Sequence, residues 1–285
     1  MKLTIDRVIP DFGLGKVDIF FNCEGENFLP DALRDCYRRY GAVACHFGSK
    51  FEAAEKAFAL HYDKYKVARK VDRFNGVNFA LESELPEDVV KVEAYSQAVK
   101  VIRHLLADGQ QLLADGQIGI LNSKLVVKDS KFSGSVFLHQ DSSYQVGTDN
   151  ITCFFLLSDL QEDPLRKSTI RALAGTHSFG HLGDVGEIDR TILDDDWPEI
   201  EFCFPKFTYV FMNPHLWHYS NSGELGSSVR GIYAFTCHGL SALSVRTPGS
   251  KEPLPVNKLN TGKIFIRSRV SRLIELQKQV DRITA

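Results

Sequence analysis

Apolar positions in the first part of the chain recur at helical intervals. Asp31 to Tyr40 (DALRDCYRRY) sets Leu33 and Tyr37 on one face and stops at Gly41, which predicts a helix. AVACHF follows as an apolar run of strand length. Ser49-Lys50-Phe51-Glu52 has the form of a capping box, and Phe51, Phe58, Tyr62 and Tyr65 continue at helix-compatible spacing, which predicts core rather than a cofactor box. Pro86, backed by Glu87 and Asp88, suits a helix start, and Val89, Val92, Val99, Ile102, Leu105 and Leu106 carry the stripe onward. The echo of Leu106-Ala107-Asp108-Gly109-Gln110 at Leu113-Ala114-Asp115-Gly116-Gln117 is local; architectural repeats run about 20–50 residues.

From residue 118 the period shortens. IGIL, KLVV, SVFLHQ, ITCFFLL, STIRAL, EFCF, TYVFM and VRGIYAFTC alternate with clusters of Gly, Asn, Asp and Ser. Short, frequent strands of this kind predict a sandwich or barrel. Residues 246–262 (RTPGSKEPLPVNKLNTG) read as a loop, and Val270, Leu273, Ile274, Gln277 and Val280 as one face of a closing helix. The fold class expected is mainly β with flanking α. Its parts are a helical front over about 1–117, a β core over about 118–240, and a loop and helix over 241–285. No linker divides the chain, so a single domain is expected.

Composition narrows the function classes. The chain has 285 residues, 44% hydrophobic and 25% charged, which suits a globular protein and excludes disorder. Its net charge of −2 lacks the basic excess of a nucleic-acid binder. No run of about 18 apolar residues is present to span a membrane. Asp6, Arg7 and Asp11 interrupt any signal-peptide core, so a cytoplasmic location is expected. The six cysteines are scattered without a C-x-x-C pair and are expected as buried thiols. Asn150-Ile151-Thr152 reads as a chance sequon.

The candidate chemistry begins at Leu138-His139-Gln140-Asp141. Residues two apart on an extended chain face the same side, so His139 and Asp141 can approach one metal ion while Gln140 faces away. His218 follows 79 residues later, after the apolar run Thr208 to Met212, a spacing that suits ligands from opposite strands of one barrel. Two histidines and one carboxylate make the facial triad of non-haem Fe(II) sites, which leaves coordination positions open. His215 is the rival to His218 as third ligand. Arg230 lies 12 residues beyond His218, past the turn-rich NSGELG. A hairpin there would return Arg230 to the His218 strand, where its guanidinium fork could grip a carboxylate.

These motifs resemble the phytanoyl-CoA dioxygenase family of Fe(II)/2-oxoglutarate-dependent oxygenases. The matching residues are His139-Gln140-Asp141 with Tyr144 close behind, Ala174-Gly175-Thr176-His177 midway, and His218, Ser220 and Arg230 distally. The family's usual Glu-Asn-Gly is Arg166-Lys167-Ser168 here, and the proline before Gly175 is Ala174. The resemblance covers roughly residues 30–240 and implies a double-stranded β-helix, the jelly-roll or cupin-like core. It implies Fe(II) held by His139, Asp141 and His218, with 2-oxoglutarate held by the iron and Arg230. Lys124 and Thr152 are further candidates for touching 2-oxoglutarate, and Tyr144, His177 and Ser220 for lining the pocket. The implied reaction consumes O₂ and 2-oxoglutarate, releases succinate and CO₂, and oxidises a C–H bond of a small molecule, hydroxylation being the default. Pocket walls are expected from the front helices, residues 67–84 and residues 178–198. Neither a nucleic-acid nor a membrane partner is expected. A zinc hydrolase on the same ligands, or a jelly-roll binding protein without catalysis, are the alternatives.

Overall fold

A computed structural model describes residues 17–24, 30–48, parts of 51–62, 78–81, 97–105, 118–130, 133–141, 150–163, 165–180 and 187–239. Helix α1 (Asp31–Tyr40) takes the predicted bounds. Leu33, Cys36 and Tyr37 bury its inner face, Asp31 sits in the first turn, and Arg38 and Arg39 sit in the last, each charge complementing the helix dipole. Gly41 ends it in the left-handed region at φ 82°, its N–H donating to the Tyr37 carbonyl at 2.9 Å.

Eleven strands are described: β1 (Phe20–Asn22), β2 (Ala42–His46), β3 (Asn78–Leu81), β4 (Ile118–Lys128), β5 (Val136–His139), β6 (Asn150–Leu156), β7 (Ile170–Leu173), β8 (Glu199–Glu201), β9 (Tyr209–Met212), β10 (His218–Ser220) and β11 (Arg230–Gly239). They form a major sheet in the order β1-β2-β9-β6-β11-β4-β3 and a minor sheet in the order β5-β10-β7-β8. From β4 onward the chain passes repeatedly from one sheet to the other. That is the jelly roll, whose two layers close over a shared interior. The described strands of the front part, β1, β2 and β3, extend the major sheet at its two edges.

Alternation along the major sheet gives it two buried faces. One side carries Cys45, Cys153, Phe155, Tyr209, Phe211, Tyr233 and Phe235 and lies beneath helical segments. Phe51 packs edge-on against Phe155 and Tyr209, with ring centroids 5.2 and 6.2 Å apart. A Cβ on Gly231 would strike the Phe58 ring, so this strand residue must be small for the helical layer to seat. Helical residues 97–105 add Ala98, Val101, Ile102 and Leu105 to the buried set. The other side of the sheet faces the minor sheet and carries Thr152, Phe154 and Arg230.

Several expectations change. IGIL and KLVV are one strand, because β4 runs unbroken from Ile118 to Lys128. EFCF meets β8 only at Glu201; Phe202 and Phe204 are core residues in irregular chain past the strand end. The hairpin between His218 and Arg230 does not form: β10 belongs to the minor sheet and β11 pairs with β4 and β6 in the major one. Turn-rich NSGELG is therefore a passage between layers, a distinction that local turn chemistry does not encode. The helix expected from Pro86 is described only over 97–105, and the C-terminal loop and helix lie outside the described residues.

Gly41 supplies a test of this packing. A Cβ there would meet the His177 ring at 2.5 Å and Leu216 at 2.9 Å, on top of the left-handed backbone cost of about 1–2 kcal/mol. Gly41→Ala is expected to lower the urea unfolding midpoint by at least that equivalent; an unchanged midpoint would contradict this account of the helix end.

Candidate metal and anion site

His139 ends β5 and His218 opens β10, and the two strands pair with these residues directly opposite one another. Their rings lie 4.2 Å apart between centroids. Each ring is fixed by its own chain. His139 Nδ1 lies 2.8 Å from the Phe137 carbonyl, and His218 Nδ1 lies 3.0 Å from the Leu216 carbonyl. A carbonyl only accepts, so both Nδ1 atoms must carry the proton, and each Nε2 keeps its lone pair for a metal. Both Nε2 atoms face the same carboxylate oxygen: Asp141 Oδ1 is 3.8 Å from His139 and 3.7 Å from His218. Among the described residues this trio is the one cluster of its kind, with its ligand atoms all within 4.8 Å of one another. Two buried imidazoles and one half-buried carboxylate suit a divalent first-row metal with positions left open.

His215 does not join that cluster. It is buried in the turn before β10, and its carbonyl accepts from Gln140 Nε2 at 2.7 Å. Gln140 also donates to the Gly180 carbonyl at 2.8 Å. Pointing away from the two ligands that flank it, Gln140 ties the ligand segment to two loops of the fold.

The remaining candidates separate. Arg230 is buried and donates through Nη1 to the Ser168 carbonyl, reaching across from the major sheet toward the start of β7. Its Nε is buried with no acceptor. Thr152, on β6, donates from Oγ1 to Asp141 Oδ2 at 2.9 Å. Ser220 is buried two residues past His218 and accepts a bond from a lysine described below. His177 is seated against α1, its Nε2 2.9 Å from the Arg38 carbonyl, and burial lowers its pKa. Lys124 is in register with Ala234, but its side chain lies outside the described residues, as do Tyr144 and His181.

Lys128 is the residue that sequence reading missed. It is directly opposite Arg230 in the β4–β11 ladder and fully buried. Its Nζ donates to Ser220 Oγ at 2.9 Å and to the Asn221 carbonyl at 2.8 Å. Neither Lys128 nor Arg230 has a carboxylate partner among the described residues. Burial first, and then the neighbouring Arg230, pushes Lys128 down from 10.5 to about 6, so it sheds its charge at neutral pH. Burial lowers Arg230 only to about 9, so it stays a cation. A buried guanidinium beside a discharged amine, with no carboxylate partner among the described residues, is able to take an incoming anion. One signal could have exposed it: a lysine ending an apolar β-branched run, in a strand that the Arg230 strand must neighbour.

The comparisons agree with this architecture. No protein-family model matches the chain, and neither does any curated protein sequence. Several solved structures do match. EctD from S. alaskensis, in its apoform, aligns with TM-score 0.58 and 15% identity over 85% of this chain and 86% of that one. EvdO2 from Micromonospora carbonacea var. aurantiaca, complexed with 2-oxoglutarate, aligns with TM-score 0.57 and 13% identity over 76% and 93%. SnoK, a non-haem α-ketoglutarate-dependent carbocyclase of nogalamycin biosynthesis, aligns with TM-score 0.54 and 15% identity over 74% and 84%. At these identities the likeness establishes the shared jelly-roll fold. No helix among the described residues is long and apolar enough to cross a membrane.

The Lys128 environment has a measurable sign. Its folded pKa lies below its unfolded one, so the unfolded chain binds more protons between about pH 6 and 10.5, and its contribution to stability rises with pH across that window. Urea midpoints of the wild type relative to Lys128→Met should therefore climb from pH 6 to pH 9; a flat difference would show that Lys128 is not buried as described.

Proposed function

We propose that this chain is an Fe(II)- and 2-oxoglutarate-dependent oxygenase acting on a small molecule, of the phytanoyl-CoA dioxygenase type. The observation that carries the reading is a juxtaposition. A two-histidine, one-carboxylate cluster sits in the same interior as a buried Arg230 and Lys128 that have no anionic partner among the described residues. One strand links the halves, since His218 belongs to the first and Ser220, bonded to Lys128, to the second. A dicarboxylate with a chelating keto-acid end and a distal carboxylate matches both. That SnoK is named for α-ketoglutarate dependence, and that EvdO2 is seen complexed with 2-oxoglutarate, supports the same choice.

His139, Asp141 and His218 would hold the metal, and Arg230 would hold the distal carboxylate, beside which Lys128 would regain its proton and donate a bond. Lys124 remains a candidate for the same co-substrate. Bound iron would supply O₂ activation coupled to decarboxylation of 2-oxoglutarate, giving succinate and CO₂. The chain's own part is to keep both imidazoles in one tautomer, leave coordination positions open, and fix the co-substrate's orientation from its far end. Hydroxylation is the proposed outcome on the organic substrate, with Tyr144 proposed at the pocket. The neighbour named as a carbocyclase shows how the same fold serves other outcomes. A zinc hydrolase would need the triad but has no use for the anion subsite, so the oxygenase reading accounts for more of the buried polar groups.

Anaerobic titration with Fe(II) and then 2-oxoglutarate should develop the visible charge-transfer band of the chelate, and Asp141→Ala should abolish it. Arg230→Ala removes a charge-assisted pair worth roughly 1.5–3 kcal/mol, so it should raise the 2-oxoglutarate requirement about 10- to 150-fold. Absence of the band in the wild type, or O₂-independent hydrolysis with zinc, would overturn the reading.

A further inference from the structure

We infer that Thr152 is the positioning residue of the metal site, acting through Asp141 rather than on the co-substrate. The inference rests on the metal reading above and goes further, since it gives Thr152 a different role from the co-substrate contact expected of it. The two carboxylate oxygens of Asp141 are unequal. Oδ1 faces both ligand imidazoles, while Oδ2 accepts from Thr152 Oγ1 at 2.9 Å. A carboxylate whose second oxygen is held in this way meets an ion through one oxygen only. It is prevented from swinging to occupy a second coordination position, which must stay open for a chelating co-substrate and O₂.

The source of that bond matters. The histidines take their orienting bonds from carbonyls two residues back on their own chain, within the minor-sheet side of the site. Thr152 instead lies on β6 of the major sheet, between Met212 of β9 and Thr236 of β11. It is buried, so water does not compete freely for its hydroxyl. Asp141 lies just past the end of β5. The Thr152 bond thus fixes the carboxylate from across the interior, and the metal cluster is assembled from both layers.

Thr152→Val keeps the shape and removes the hydroxyl; Thr152→Ser keeps the hydroxyl. Anaerobic Fe(II) titration against a competing chelator, without co-substrate, should show a dissociation constant raised 10- to 100-fold in the valine variant, the range typical of lost outer-shell partners. Serine should recover most of that loss. At saturating Fe(II), the 2-oxoglutarate concentration giving half of the chelate band should shift by less than about threefold, since a positioning bond of this kind does not touch the co-substrate. Thr152→Ala supplies a second hydroxyl-free variant if valine lowers the thermal midpoint. Equal Fe(II) affinity in wild type and both hydroxyl-free variants would overturn the inference. So would unchanged Fe(II) affinity with weakened 2-oxoglutarate binding, which would return Thr152 to the co-substrate. Failure of the oxygenase reading looks different: the wild type would bind Fe(II) yet give no chelate band, and the variants would still report on Thr152.

Discussion

Three lone pairs aimed at one point are an unfavourable thing to bury, and the placement of β5 beside β10 is what makes it possible here. These two short strands set His139 opposite His218. Each ring spends its proton on a nearby carbonyl, so the remaining nitrogens converge instead of seeking partners elsewhere. The pairing needs the minor sheet, and the minor sheet needs the chain to keep crossing from the larger one. Crossings in turn bring Thr152, Lys128 and Arg230 in from the opposite layer, so that the polar interior is shared between two sheets whose remaining inward positions are mostly apolar.

Much of this was legible in the chain because strand and helix periods are local properties. Helix α1 was bounded by its apolar face and by Gly41, and both bounds hold because the left-handed stop lies within the sequence itself. Most strands were visible as β-branched or aromatic runs. The closeness of His139 and Asp141 was legible for a similar reason: a two-residue spacing along an extended stretch sets both on one side.

What was hidden depends on which layer a strand joins. The segment between His218 and Arg230 has the residues of a tight turn, yet it leads from one sheet to the other. Turn chemistry sets how the chain bends and not where it lands. Lys128 was hidden for a related reason, since at the end of KLVV a lysine looks like a solvated strand terminus. Only the ladder to β11, which places Arg230 opposite, reveals it as buried. Thr152 could be noticed but its bond to Asp141 could not, because a hydroxyl in an apolar strand serves whichever acceptor the facing sheet presents.

The division of labour between the layers has a mechanical side. The three candidate ligands come from the minor-sheet side, and Lys128 and Arg230 from the major one. On the proposed reading a co-substrate touching both ends would itself be a fastener between the sheets, a removable part of the framework. Since it would grip only the assembled sandwich, each binding event would tighten the folded form by mass action. Turnover, which converts that fastener into a shorter acid, would loosen it again. In such a protein the rigidity of the barrel would rise and fall once per catalytic cycle, with the reagent serving as a temporary crossbeam.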